Sequence, residues 1–258
     1  MIISPINFAY NYNDKTTFKS TASTVYNKVS GKTYSRYTKF FREDLNWERF
    51  IKFINKKYAN VPKVNIINYA SSDGSEPWSL GMLIMEYIKN PERMLPIKAF
   101  DFDDKNIIES RQGICQINSG DIVRLNRLIP SWNYKYMKPF RTNDYGSNKG
   151  VKLYEHFQDK VTFTKKDITT DFEEKLPPNT IILCRNMWPY LESWQQKLLI
   201  YKLQNTLDET GLLVIGDLER NYGITSRLAE AGFVETDVEG VFYNPKPLNQ
   251  RSDQFAAQ

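Results

Sequence analysis

The sequence predicts a doubly wound α/β domain with a mostly parallel sheet, closed at one edge by an antiparallel C-terminal pair of strands. Short apolar runs alternate with helical segments along most of the 258 residues, as expected for a parallel sheet covered by helices on both faces. The runs are almost wholly apolar, which favours strands buried on both sides. The C-terminal segment "FVETDVEGVFYNP" (233–245) instead predicts two strands joined by a turn.

Each predicted helix and strand has its own signal in the sequence. Apolar residues recur at helical spacing over 40–58 and predict an amphipathic helix. The run "VNIINYA" (64–70) predicts a buried strand, and Pro77 then starts a second helix, where a missing N–H is tolerated. Further strands are predicted at 97–103, 161–168, 180–186 and 211–218, and further helices at 105–111, 193–207 and 225–231.

Residues 119–160 break this rhythm. A connection of that length is uncommon inside a compact domain unless it is functional or has its own local structure. We therefore expect an insertion here, locally helical or acting as a cap.

The composition is that of an ordinary globular protein, with 41% hydrophobic and 25% charged residues. No apolar run reaches the length of a membrane span, and the first thirty residues lack the apolar core of a signal peptide. Two cysteines, Cys115 and Cys184, make no disulfide framework. We expect a cytoplasmic monomer.

The N-terminal arm, residues 1–36, is polar and carries five basic residues against a single acid, Asp14. Such a segment is either a solvated tail or a docking element for an acidic partner, which includes an acidic protein surface and nucleic acid. Both interpretations stay open. We expect one main domain at 37–247, followed by a polar tail at 248–258.

Polar residues follow four of the predicted strands. In open α/β sheets, ligands bind beyond the carboxyl ends of the strands. Three of these strand ends provide an acid and the fourth an asparagine, although each residue type is also common in turns and helix caps. The residues are Ser71 to Glu76 after the first strand, Asp101 and Asp103 at the second, Asp167 and Ile168 at the third, and Arg185 and Asn186 at the fourth.

These strand ends predict a particular class of ligand. An acid at the position of Asp101 suits the two hydroxyls of a ribose, yet the Gly-x-Gly-x-x-Gly loop that accepts a pyrophosphate is missing. The loop instead presents Glu76, which would attract a cation. A phosphate-free nucleoside with an ammonium group is S-adenosylmethionine (SAM), with S-adenosylhomocysteine (SAH) as its product. We predict no metal, and interpret His156, the only histidine, as structural.

Five segments resemble one known family. They are "TKFFRE" (38–43), "SSDGSEPWSL" (71–80), "AFDFDDKNIIESRQGIC" (99–115), "ILCRNMWPYL" (182–191) and "EGVFYNP" (239–245). In this order they resemble the CheR-type chemotaxis-receptor methyltransferases, which are SAM-dependent protein-glutamate O-methyltransferases. The resemblance implies a Rossmann-like class I methyltransferase fold, here without the family's N-terminal helical domain.

The resemblance also implies roles for individual residues. Arg42 and Tyr190 would lie at the site of methyl transfer, with an acidic protein surface such as that of a chemoreceptor as the partner. A glutamate acceptor is already ionised at neutral pH, so no general base is needed. The implied cofactor-binding residues are Thr38, Arg42, Ser71, Gly74, Glu76, Asp101, Asp167, Ile168, Asn186 and Met187.

The chain departs from the family pattern mainly where the acceptor would bind. Ser75 replaces the first glutamate of the family's pair, and residues 216–219 read Gly-Asp-Leu-Glu instead of Gly-His-Ser-Glu. Two alternatives therefore stay open. One is a methyltransferase with another acceptor, namely a nucleic acid, another protein residue or a small molecule. The other is a non-catalytic module that binds the cofactor.

Overall fold

The computed structural model describes residues 24–27, 32–35, 38–141, 149–172 and 175–245. The strands are β1 Thr24–Asn27, β2 Lys32–Ser35, β3 Asn65–Tyr69, β4 Ile97–Asp101, β5 Ile114–Ile117, β6 Met137–Arg141, β7 Lys149–Leu153, β8 Val161–Lys165, β9 Thr180–Cys184, β10 Leu212–Val214, β11 Val234–Glu235 and β12 Val241–Tyr243. The helices are α1 Trp47–Lys57, α2 Ser75–Tyr87, α3 Asp104–Arg111, α4 Ser119–Leu128, α5 Trp132–Lys135, α6 Glu155–Gln158, α7 Ser193–Thr206, α8 Asp217–Asn221 and α9 Ile224–Glu230. The predicted tail at 248–258 lies outside the described residues, as does the basic arm apart from the antiparallel pair β1–β2.

The main sheet has seven strands in the order β11-β12-β10-β9-β3-β4-β8. The five strands from β10 to β8 are parallel, whereas β12 runs antiparallel to both β10 and β11. One backbone bond continues the β10–β12 pairing, because the N–H of Ile215 donates to the carbonyl of Gly240 at 2.9 Å. The predicted doubly wound sheet with an antiparallel C-terminal pair is confirmed.

Helices cover both faces of this sheet, because successive strand residues point to opposite sides. On β3, Ile66 packs into a core shared with α1 and α2, while its neighbour Ile67 packs into a second core with α7 and α9. Both cores are continuous along the central strands, which explains why those strands are apolar on both faces. No helix in the described ranges is long and apolar enough to span a bilayer.

The first helix differs from its prediction. It begins at Trp47 instead of residue 40, because Asn46 caps it by accepting the N–H of Arg49 at 3.1 Å. The preceding residues 40–46 form turns, and Phe41 has a left-handed backbone with φ of 48°. Phe41 is nevertheless buried, as its apolar character predicts.

The insertion contains more strand than expected. Residues 119–160 hold three helices, but β6 and β7 also lie there and form an antiparallel sheet with β5, which precedes the segment. This small sheet is packed onto the domain by Phe157, whose ring lies 5.5 Å from that of Trp78 in α2. His156 lies within the insertion, where its ring stacks on that of Tyr154 and its Nε2 can donate to the Lys135 carbonyl at 2.9 Å.

Candidate functional site

A cavity of about 320 Å³ opens at the carboxyl ends of the parallel strands. It unites predicted site residues from three of the strand ends, namely Asp101 after β4, Asp167 and Ile168 after β8, and Met187 after β9. The rest of the lining comes from Tyr69, Ala70, Phe102, Lys166, Thr169, Thr170, Leu191, Glu192, Trp194 and Gln195. The volume suits a small organic ligand.

Asp101 is the buried acid of this cavity, with 5% of its surface exposed. One carboxylate oxygen accepts the Ser72 N–H at 2.8 Å, and the other accepts the Asp103 N–H at 2.9 Å and the Asn106 side chain. Burial raises the pKa of Asp101, and the hydrogen bonds from Asp103 and Ser72 oppose that rise. Since these donors fix the carboxylate, it is oriented in advance to accept from hydroxyl groups of a ligand.

The loop between β3 and α2 is tightly wound. Ala70, Ser72 and Gly74 all have left-handed backbones, with φ of 55°, 51° and 89°. A Cβ on Gly74 would lie 2.9 Å from atoms of both Phe163 and Trp78. Gly74 is therefore needed for its backbone conformation and for packing, and the predicted approach to a cofactor remains a prediction.

A cluster of charged and amide side chains connects β3, α2 and the turn after β9. Arg185 donates to Glu76 at 2.6 Å and to Asp44, and its guanidinium also lies over the Trp47 ring at 5.2 Å. Asn68 donates to the second oxygen of Glu76 at 2.6 Å. With Asn186, described next, these residues form what we call the Arg185 cluster: Asp44, Asn68, Glu76, Arg185 and Asn186.

Asp44 connects this cluster to the loop that carries Arg42. Asn186 has a left-handed backbone, with φ of 59°, and donates its amide to Asp44 at 2.8 Å. The Nε atom of Arg42 lies 3.8 Å from the same Asp44 oxygen. Gly216 allows this approach, because a Cβ there would lie 2.5 Å from Asp44. The structure thus brings the predicted residues Arg42, Glu76 and Asn186 together.

Glu219 connects two turns next to the cluster. Its side chain is fully buried and accepts the N–H of Met187 at 3.0 Å and the N–H of Gly216 at 2.7 Å. Burial raises the pKa of Glu219, while these backbone donors lower it. The carboxylate therefore ties the turn after β10 to the turn after β9.

The electrostatics of Glu76 differ from the expectation of an acid held free for a ligand. Burial raises the pKa of Glu76, and the adjacent Arg185 is the strongest influence lowering it. Its two oxygens already accept from Asn68 and Arg185, so an ammonium group would have to share them. Each carboxylate oxygen can accept more than one hydrogen bond, which leaves room for such sharing.

The structure also describes the predicted residues Thr38 and Tyr190, neither of which lines the cavity. Thr38 is half-buried at the start of the loop that carries Arg42. Tyr190 is half-buried in a short 3-10 helix, Trp188–Tyr190, and its N–H donates to the carbonyl of Met187 at 3.0 Å. Their roles at the methionyl end and at the transfer site remain predictions.

Several residues of the site were not predicted from the sequence, chiefly Asp44, Asn68, Trp194 and the pairing of Arg185. The sequence indicates Arg185 only as a strand-end residue, whereas its fully buried side chain requires acidic partners. An arginine directly after an all-apolar strand was the one available signal. Nothing local in the sequence pointed to Asp44.

Comparison with known proteins gives the family. Residues 36–232 match the family model described as the SAM-binding domain of CheR methyltransferases. The chain belongs to the CheR methyltransferase family. The resemblance carried by the five sequence segments is thereby confirmed, and with it SAM as the cofactor.

The CheR chain matches curated relatives at low identity. It is 25% identical over 169 residues to a chemotaxis protein methyltransferase of Vibrio anguillarum, covering 66% of this chain and 58% of the relative. It is 23% identical over 212 residues to one of Borreliella burgdorferi, covering 78% and 70%. Among solved structures, magnesium protoporphyrin IX methyltransferase from Synechocystis PCC 6803 aligns with a TM-score of 0.39 and 12% identity, covering 76% and 74%. The chain spans less than two thirds of the Vibrio relative.

The site of this CheR chain has the polar groups that the amino-acid moiety of SAM requires. Within the described ranges, Ser71 Oγ, Asn186 Oδ1 and Arg185 Nε are buried and have no hydrogen-bond partner. Buried polar atoms are rarely left in that state, so each can accept from or donate to a ligand. Two of them belong to the Arg185 cluster, which fits a ligand with an ammonium and a carboxylate group at this point.

Proposed function

We propose that this protein is a methyltransferase that uses SAM to methylate a glutamate carboxylate on a protein such as a chemoreceptor. One observation supports it most directly. Asp44 holds Asn186 and lies beside Arg42, so the loop with the predicted acceptor residue is connected to the strand end that lines the cofactor cavity. This link supports a single site, since Asn186 directly precedes Met187, which lines the cavity.

Each part of the site has a task in this reaction. Asp101 would hold the ribose, Ile168 and Asp167 would flank the base, and the Arg185 cluster with Ser71 and Thr38 would hold the methionyl group. SAM supplies an activated methyl group on its sulfonium. Because the acceptor carboxylate is already ionised, the protein positions the reactants, excludes water and needs no general base.

Arg42 is the residue that we expect to hold the acceptor. Its guanidinium can donate two hydrogen bonds to a carboxylate, which would direct one oxygen toward the methyl group. Asp44, 3.8 Å away, competes for the same charge and so limits how tightly the acceptor is held. Such moderation favours turnover, since strong binding of the ground state does not speed the chemical step. Tyr190 would border the acceptor.

A second candidate function follows from the acids near Arg42. Burial raises the pKa of Asp217, the neighbouring Asp44 raises it further, and Arg220 opposes that rise. A third carboxylate brought to this place would meet repulsion from both acids. An uncharged acceptor, in another protein residue, a nucleic acid or a small molecule, would avoid it.

The decisive experiment uses the stability of the product. The protein is incubated with SAM labelled in the methyl group and with membranes or cytosol that contain chemoreceptors, and the labelled proteins are then treated with mild base. A glutamate methyl ester releases volatile labelled methanol, as the proposal requires. A base-stable label would support the second candidate, and binding of SAM without any transfer would indicate a non-catalytic module.

The wider setting is also a proposal. We propose that residues 37–247 form the catalytic unit of a cytoplasmic monomer and that the basic arm at 1–36 docks onto an acidic partner. Proteins with arm charges reversed, Lys15→Glu and Lys19→Glu, should then lose activity on the protein acceptor while binding SAH as before. Unchanged activity would make the arm a solvated tail.

A further inference from the structure

One tryptophan of the protein differs from the other four in its surroundings. Trp47, Trp78, Trp132 and Trp188 are at most 3% exposed, whereas Trp194 is 64% exposed. Exposing so large an apolar ring to water is unfavourable, and an exposed aromatic side chain beside a cleft is typical of binding sites. Trp194 lies in the first turn of α7 and lines the cavity with Met187 and Leu191.

The position of Trp194 relative to the polar groups shows which part of a ligand it would meet. The oriented carboxylate of Asp101 lies at the end of β4, and the Arg185 cluster is formed by side chains of β3, α2, the loop before α1 and the turn after β9, none of which lines the cavity. Trp194 comes from another element, together with the apolar side chains of Ile168 and Leu191. An apolar wall of this kind suits the flat face of a nucleoside base and not the ribose or the amino-acid group.

The helix that carries Trp194 is anchored in the core. Ile168 and Leu191 also border a second, smaller cavity with Leu198, one turn further along α7. The helix itself is anchored, because Leu199 and Leu203 are buried in the core. Trp194 is thus an exposed ring that lines the cavity and stands on a helix anchored in the core.

We infer that Trp194 stacks on the base of the bound nucleoside, which makes it a binding residue for the adenosine part of the cofactor. This inference rests on the proposed function. It deepens that function by assigning a contact outside the motifs that carry the family resemblance. Stacking of a base on an aromatic ring typically changes affinity by about tenfold to a hundredfold.

The experiment uses calorimetry on the full chain with two probes, SAH and 5′-methylthioadenosine, which has the nucleoside but no amino-acid group. Trp194→Ala should weaken both probes equally, by about tenfold or more, and Trp194→Phe should restore most of the affinity. Tyr201→Ala is the matched control, because Tyr201 is 45% exposed on the same helix but does not line the cavity. It should bind both probes as the parent does.

Fluorescence gives a second readout that a purely structural role would not change. Saturating SAH should protect the parent protein from acrylamide quenching, and Trp194→Phe should abolish that protection, since its remaining tryptophans are buried. Circular dichroism would confirm that the variants are folded.

The possible failures are distinguishable. If the parent binds both probes and Trp194→Ala does too with unchanged affinity, the inference is wrong and the proposed function stands. If Trp194→Ala weakens SAH alone, the contact is with the amino-acid part and the inference is also wrong. If the parent binds neither probe, the proposed function fails and the inference with it.

Discussion

The cavity and the Arg185 cluster lie at the same edge of the sheet, yet they are built in opposite ways. The cavity has open volume, an exposed tryptophan and a single buried acid held by backbone donors. The cluster instead consists of paired charges, since Arg185 is shared between Asp44 and Glu76 and only a few of its polar atoms remain for a ligand. An open region can be altered with little effect on folding, whereas a paired, buried region cannot. We therefore expect changes in the cavity to alter binding and changes in the cluster to alter stability as well as turnover.

Removing the Arg185 cation should have the largest effect on stability. Arg185→Met would leave the carboxylates of Asp44 and Glu76 partly buried without their shared cation, and loss of one partner from a buried ion pair typically costs about 3–5 kcal/mol. The free energy of unfolding in urea should fall by that amount. Lys165→Met, which removes an exposed pair with Asp104, should change it by less than about 1 kcal/mol. Equal effects of the two variants would contradict a structural role for the cluster.

Substitution of Arg42 tests whether methyl transfer takes place next to the Arg185 cluster. Arg42→Lys keeps the charge but loses the planar fork, so kcat should fall about a hundredfold while affinity for SAH changes less than about threefold. Initial rates and calorimetry on the same preparation measure the two effects. Lys39→Ala, in the same loop, serves as the control and should leave both near the parent values. An equal loss of rate and of SAH affinity would place Arg42 in the cofactor site alone.

The β3–α2 loop joins the two regions, and Gly74 shows how little freedom it has. Gly74→Ala combines a strained backbone with a clash against Phe163 and Trp78, and should cost about 2–3 kcal/mol. Gly223→Ala is a matched control, since Gly223 also has positive φ but no atom within 4 Å of the added Cβ. It should cost only about 1 kcal/mol. Similar losses in thermal unfolding would show that the clash is relieved by movement of the rings.

Asp73, in the same loop, should give the smallest effect and one that depends on pH. Burial raises the pKa of Asp73 to about 6, although Ser75 donates to it twice. Because the folded protein holds this proton more tightly than the unfolded chain does, the contribution of Asp73 to stability is greatest below about pH 4. It declines as pH rises through 6 and is constant above that.

Asp73→Asn keeps an acceptor for Ser75 and removes the titration. It should be more stable than the parent above pH 6, by about 1–2 kcal/mol, and equally stable near pH 4. Urea unfolding at several pH values provides the measurement. A constant difference across this range would show that the Asp73 carboxyl does not titrate as described.

The sequence predicted the open region better than the paired one. Asp101, Ile168 and Met187 each follow an apolar run, so strand ends and parallel topology alone placed them around one cavity. In contrast, the pairing of Arg185 with Asp44 joins residues 141 positions apart. Local patterns carry no information on such a contact, because it depends on how the loop before α1 folds back across the sheet.

Two other differences have similar causes. Helical periodicity over 40–58 could not reveal that Phe41 has a left-handed backbone and that Asn46 caps the helix, since apolar spacing continues across a turn whose aromatics are buried as well. The strands β6 and β7 were missed because they pair with β5 and not with the main sheet. They belong to a small antiparallel sheet, and hydrophobic periodicity within residues 119–160 did not reveal separate strands.

The antiparallel strand β12 has a consequence for the time at which the protein becomes active. Glu219, in the turn at 216–219, accepts the N–H groups of Met187 and Gly216. The residue before this turn, Ile215, donates its N–H to the carbonyl of Gly240. Ribosomes add roughly 5–20 residues each second, so strands β3, β4, β8 and β9 exist several seconds before residue 240 does. We expect a nascent chain to form the walls of the cavity before the turn at 216–219 is held in place. The proposed methyl transfer would then begin only once the last strand of the sheet has formed.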